Sequence, residues 1–218
     1  MTVLQMRFVP APILRRQAKK VAKFPAKKIP ANMKKLINDM IETMYDQQGV
    51  GLAANQIGSL QKVAVVQTPE MEEALVLINP EIVKQEGERE VEEGCLSIPG
   101  YRGMVKRSVT VRAKAIGLDG KVIRINADEL LAQALEHEID HLNGILYIDR
   151  LVSPDSLWKV TPVSEEEAEE DDQNDEAEEG DEDPEVHEDP EDDQAGGDDG
   201  ATEASAMPVA QGHADGGE

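Results

Sequence analysis

Residues 135–144 read LEHEIDHLNG, and this stretch decides how the chain folds around its chemistry. Leu131, Ala134, Leu135, Glu138, His141 and Leu142 recur at helical spacing and share one broad face. The helix is expected to begin near Asp128 and to stop at Gly144, because glycine takes the left-handed conformation at helix ends without strain. His137 and His141 lie four apart and project from one face, one turn from each other. That is the geometry two imidazoles need to reach a single metal ion. Glu138 is rotated by about 100° from His137, so it flanks such an ion without binding it and can take a proton from water there. The plain alternative is a solvated helix face with two incidental histidines.

Charge is distributed unevenly around this motif. Of the 45 acidic residues, 25 lie from Ser164 onward, and none of the 22 basic ones do. Residues 1–163 therefore hold 20 acids against 22 bases, so the overall net charge of −23 belongs to the tail. Like charges repel, and the tail has too little apolar surface to offset chain entropy, so residues 164–218 are expected to be a disordered acidic tail. Residues 1–163 suit one domain with its own core. No apolar run approaches the roughly 20 residues needed to span a bilayer. The N-terminus has no secretory signal pattern, and Pro10 and Pro12 would break an amphipathic transit helix. A single cysteine fits a reducing cytoplasm. Residues 7–35 contain ten Lys or Arg and no acid, a stripe suited to ribosomal RNA, or more plainly to a solvated loop and helix face.

The remaining elements follow from periodicity. Met33, Leu36, Ile37, Met40, Ile41 and Met44 form an apolar stripe that predicts a helix over 32–48, capped by Asn32 and ended by Gly49. The stretches KVAVVQT, ALVLINPEIV and SVTVRAKAI read as strands, and LDGK turns the last of these into VIRIN as a hairpin. ILYIDRL reads as a last strand or extended segment. The order predicts an α+β fold, with short antiparallel sheets packed around a central helix that carries the two histidines.

A catalytic metal site commonly has three protein ligands and one open position. Among metalloproteases with this motif, one type places a third His three residues beyond Gly144, where this chain has Tyr147. Another type needs a later helical Glu, and nothing suitable precedes the tail. That leaves Cys95, in EEGCLSIPG, where Gly94, Ser97 and Pro99 predict a shaped loop. A lone cysteine can also be a small buried hydrophobe.

Three segments together resemble the signature motifs of the peptide deformylases: GVGLAANQ, EGCLS and HEIDH with the following LNG. The resemblance runs from residue 3 to about 151, in the family's order and spacing. One departure is Glu136, where the family commonly has Gln, and an extra carboxylate there is expected to alter hydrogen bonding around the ion.

The resemblance implies hydrolysis of the formyl group from N-formylmethionine on new polypeptides. Cys95, His137 and His141 would hold one divalent ion, natively ferrous iron, with Zn, Ni and Co also suited to thiolate and imidazole. Water activated there would attack the formyl carbon, with Glu138 as general base and acid. The Gln56 amide and the Leu96 N–H would stabilise the developing oxyanion. Gly49 and Gly51 would let a peptide backbone approach closely, and Val50, Leu130 and Ala134 would line the methionine pocket. Tyr101 and Arg102 are weaker candidates nearby. The competing readings are a peptidase and a non-catalytic interaction protein.

Overall fold

The clearest amphipathic stretch forms helix α1, Ala31–Asp46. The structure, a computed structural model, describes residues 2–22, 24 and 29–160. The acidic tail and Lys23, Lys27 and Lys28 of the basic stretch lie outside these, so the expected disorder of 164–218 does too. The chain enters α1 at Pro30, whose fixed φ suits a helix start. The expected cap, Asn32, falls inside the first turn, and no side chain caps the start of the helix. Its end also differs from expectation. Gln48 takes the left-handed conformation (φ 53°), while the Gly49 N–H bonds the Met44 carbonyl at 2.9 Å.

Among the described residues the strands form two antiparallel sheets. The larger runs in the order β1 (Gly51–Ala53), β2 (Val63–Val66), β3 (Leu75–Glu86), β6 (Thr110–Ile116) and β7 (Val122–Asp128). The smaller contains β4 (Arg89–Cys95), β5 (Ile98–Arg107) and β8 (Leu157–Lys159). Strand β2 is buried at all four residues because both its faces are covered. Val63 and Val65 pack in the cluster built on Met33, Ile37, Met40 and Met44 of α1. Ala64 and Val66 pack in the cluster built on Leu135 and Leu142 of the second helix, α2 (Glu129–Leu142). The sheet face toward α2 is rich in small residues, including Ala53, Ala64, Ala113 and Ala115, so the helix axis can sit close to the strands. Each fully buried Leu adds about 1.5–3 kcal/mol relative to exposure. From Leu135 onward α2 is buried or nearly so on every side, which makes it the central helix of an α+β fold.

The β6–β7 hairpin forms as expected, closed by the Gly117 N–H to the Lys121 carbonyl at 2.9 Å. Two segments depart from expectation. Residues 145–151 do not form a strand: Tyr147–Asp149 make a 3-10 turn, and Leu151 makes only a single bridge to Val105. The Asp149 carboxylate accepts the Leu146 N–H at 2.9 Å, and Tyr147 is fully buried, so a local cap and an aromatic anchor prevail over strand propensity. Second, Cys95 is not in a free loop but ends β4, one arm of a long hairpin that its charged sequence, REVEEGC, disguises. No helix among the described residues is long and apolar enough to cross a membrane.

Gly144 ends α2 in the left-handed region (φ 79°), and a Cβ there would lie 2.6 Å from the Arg15 carbonyl oxygen. Gly144→Ala is therefore expected to lower stability by about 2 kcal/mol, read by urea unfolding. A change smaller than ~0.5 kcal/mol, the range of ordinary surface substitutions, would contradict this account of the turn.

Candidate metal centre

Helix α2 presents His137 and His141 with ring centroids 4.8 Å apart and planes at 72°. Cys95 reaches them because of an irregularity in the β4–β5 hairpin. Gly94 pairs with Arg102, but Cys95 pairs with Ile98, so residues 99–101 are extra on β5. Such a bulge turns the strand end and re-aims its side chain. The Cys95 Sγ lies 3.1 Å from His141 Nε2, and the three donor atoms of Cys95, His137 and His141 all lie within 4.8 Å of one another. That spacing matches the scale set by bonds of about 2.0–2.3 Å to one shared ion.

The surrounding charges fit a cation at this point. His137 Nδ1 donates to Glu93 Oε2 at 2.9 Å, which leaves its Nε2 lone pair for the centre. Burial disfavours an imidazolium at His137, yet the Cys95 sulfur and the Glu93 carboxylate more than offset it and hold its pKa well above the usual value. Burial and the neighbouring His137 push His141 well below its usual value. A sulfur and two imidazoles, one of them oriented by a carboxylate, make a donor set that suits a divalent ion.

Glu93 is itself held by Arg107. Arg107 Nε and a terminal nitrogen donate to its two oxygens at 2.7 and 3.0 Å, and the other terminal nitrogen donates to Asp140 at 2.7 Å. Burial opposes a charged Glu93, but the bonds from His137 and Arg107 prevail and lower its pKa to about 2. Arg150 closes the far end on Asp140 at 2.8 and 3.1 Å. Glu93, Arg107 and Asp140 were not legible as site residues. Nothing in EEGC distinguishes the inward Glu93 from the outward Glu92 except strand alternation, and that strand was not expected.

Glu138 is buried beside the histidines, and burial pushes its pKa up to about 7. Its Oε2 has no hydrogen-bond partner among the described residues. A Cβ on Gly51 would meet Glu138 Oε1 at 2.5 Å, and one on Gly49 would meet Leu96 Cδ1 at 2.7 Å. These glycines therefore make room for the chain's own Glu138 and Leu96. Gln56 is buried in a 3-10 turn, where the Ala53 N–H fixes its Oε1 at 2.7 Å. Its amide nitrogen is left facing Ser97 Oγ at 3.2 Å and Cys95 Sγ at 3.8 Å. The Ser97 N–H also points at the sulfur, at 3.4 Å. Leu96 and Ser97 form the hairpin turn.

A cleft of about 710 Å³ opens onto the centre. Cys95, His137, Glu138, Gln56 and Leu96 line it, as do all five expected substrate contacts, Gly49, Val50, Gly51, Leu130 and Ala134, together with Tyr101 and Arg102. His141 is fully buried and does not line it. Glu136, expected to alter hydrogen bonding around the ion, bonds elsewhere. It lines a separate cavity and accepts bonds from the Ser108 N–H and Oγ at 2.9 and 3.0 Å and from Gln85 at 2.6 Å. Its place beside His137 in sequence puts it on another side of α2.

Known proteins resemble this chain in sequence and in fold. The family model for polypeptide deformylase matches residues 3–156. The peptide deformylase of Dehalococcoides mccartyi is 49% identical over 165 residues, covering 76% of this chain and 96% of that protein. That of Halothermothrix orenii is 48% identical over 152 residues, covering 70% and 96%. Among solved structures, the Legionella pneumophila peptide deformylase superposes with a TM-score of 0.66 at 44% identity, covering 71% of this chain and 89% of that one. The Synechococcus elongatus enzyme in complex with actinonin gives 0.65 at 36% identity, covering 70% and 81%. The chain belongs to the polypeptide deformylase family.

Two substitutions test the geometry. Gly51→Ala should displace Glu138 and lower turnover about 100-fold, with metal content unchanged. Equal turnover would show that the close contact is dispensable. Arg107→Ala leaves Glu93 buried without its guanidinium and Asp140 with Arg150 alone, and should cost about 3–5 kcal/mol in urea unfolding. A loss below ~1 kcal/mol would mean that the charges find other partners.

Proposed function

We propose that the chain is a metal-dependent hydrolase that removes the formyl group from the N-terminal N-formylmethionine of newly made polypeptides and releases formate. Family membership supports the activity. The observation that carries the residue assignment is the meeting of Cys95, His137 and His141 beside a buried carboxylate with one unpaired oxygen. Those three residues would hold a divalent ion, which when bound supplies Lewis acidity toward water and the formyl carbonyl.

The remaining work falls to the chain's own side chains. Glu138 takes a proton from water at its free Oε2 and delivers one to the leaving amine. A pKa raised by burial suits both transfers near neutrality. The Gln56 amide is held from behind by the Ala53 N–H, so its NH2 donates toward the charge growing on the formyl oxygen without reorienting. The Leu96 N–H is the second donor in this reading. Val50, Leu130 and Ala134 form the apolar wall for the methionine side chain, and Gly49 and Gly51 on the same cleft give an extended peptide an edge to lie along.

Thiolate and imidazole donors accept several first-row ions, and ferrous iron is the native ion in this reading. The cytoplasm is the compartment, as the single cysteine suggests. In this reading residues 7–35 contact ribosomal RNA through basic side chains other than Arg15, Lys20 and Lys35, which pair with Asp149, Glu81 and Asp39.

Formate release should occur from formyl-Met peptides and not from unformylated ones. Glu138→Ala should keep one equivalent of metal after anaerobic purification and lose turnover by about 10³-fold. Wild-type turnover in that variant would remove Glu138 from the mechanism, and cleavage of a peptide bond in unformylated substrates would overturn the reaction assigned.

A further inference from the structure

A second cavity of about 710 Å³ lies against another face of α2, and among the described residues it shares no lining residue with the cleft at the metal centre. Glu136, Ile139, Asp140 and Asn143 line it from α2. Their spacing of i, i+3, i+4 and i+7 makes one helix face. Each of His137 and His141 follows a member of that face by one residue, a rotation of about 100°. The rest of the lining includes Lys62, just ahead of β2, Ile82 and Gln85 of β3, and the end of β5.

Pairing inside this cavity leaves two charged groups over. Glu81 accepts bonds from Lys20 and Lys114 at 2.6 and 3.0 Å, and Glu88 accepts one from Lys106 at 2.9 Å. Asp140 is taken by Arg107 and Arg150, and Asp149 by Arg15. Glu136 is buried and meets only neutral donors, the Ser108 N–H and Oγ and the Gln85 amide. Lys62 is only 9% exposed, and among the described residues nothing bonds its ammonium. Burial pulls the Lys62 pKa below its usual value, and Glu81, acting without a direct bond, restores only part.

A buried amine and a buried carboxylate, each lacking an opposite charge, are costly to leave so. No ion pair joins Lys62 to Glu136, so the cavity holds a positive and a negative group apart. A ligand that carries both charges satisfies both. Ile82, Ile139, Ile145 and Leu151 add an aliphatic lining beside them. The volume lies within the range of about 300–1,000 Å³ common to small-molecule sites.

We propose that this cavity is a second binding site, which takes a small zwitterion of the amino-acid class, with its carboxylate on Lys62, its ammonium on Glu136 and an aliphatic side chain on the isoleucines. A free amino acid and a dipeptide share this chemistry and differ in the reach between their charges. The site stands apart from the formyl-peptide cleft and does not rest on the function proposed above.

Isothermal titration calorimetry on the full-length, metal-loaded protein tests it. The probes are L-leucine and glycyl-L-leucine, each also as its amide, which lacks the carboxylate, and as its N-acetyl form, which lacks the ammonium. Saturable binding of one molecule per chain is expected for L-leucine or glycyl-L-leucine, and the tighter of the two identifies the source. Its amide and its N-acetyl form should each bind about tenfold more weakly, because one charge-assisted contact is lost. Lys62→Met keeps the aliphatic stem and should erase the advantage of the zwitterion over the amide. Glu136→Gln keeps the shape and should erase its advantage over the N-acetyl form. The wild-type arm, free against blocked ligands, does not depend on either variant folding. Absence of saturable binding by both zwitterions would overturn the proposal, as would equal binding of the blocked forms by wild type. Undiminished affinity for the zwitterion in either variant would place the ligand elsewhere and overturn it too.

Discussion

The ion-pair chain His137–Glu93–Arg107–Asp140 holds together the two halves of the metal centre. Two donors come from a helix and the third from a hairpin 42 residues earlier, in a different sheet from the one the helix packs on. Hydrophobic packing places α2 against the larger sheet through its alanine-rich face, but it does not by itself fix the smaller sheet to within a bond length. Arg107, on β5, grips Glu93 on β4 and Asp140 on α2 at once, with side chains almost wholly shielded from water. Buried charges of this kind add little net stability when intact and cost much when broken. Their value here is positional, because the same carboxylate that holds Arg107 also orients the His137 ring.

The electrostatics follow from that placement. A carboxylic acid, a thiol and two imidazoles share one largely buried pocket. Burial and His137 push the His141 pKa well below its usual value, while Cys95 and Glu93 raise that of His137 against the cost of burial. Glu138 sits one step outside, desolvated but unpaired, and Gly51 keeps its place free of a side chain. The glycines of the first motif therefore serve the chain's own side chains as well as lining the cleft.

Much of this was legible in the sequence, for physical reasons that differ by element. The α2 helix and its histidines were readable because spacing of four on a helix has one geometric meaning. The β6–β7 hairpin was readable from strict alternation and its Asp-Gly turn. The β4–β5 hairpin was not, because Glu90, Glu92 and Glu93 conceal the alternation: the inward Glu93 is buried by pairing with Arg107, some 14 residues away, which no local pattern records. Glu136 bonds Ser108 and Gln85 instead of the metal ligands, since adjacency to His137 in sequence means a different side of the helix. The helix caps failed at Asn32 and Gly49 because the chain enters α1 through Pro30 and leaves through a left-handed Gln48.

X-ray absorption at the metal edge of the anaerobically loaded protein tests the centre most directly. The account predicts one sulfur scatterer at about 2.3 Å and two imidazole nitrogens at about 2.0–2.1 Å, with the sulfur lost in Cys95→Ala. A first shell of nitrogen and oxygen alone in the wild-type protein would contradict it.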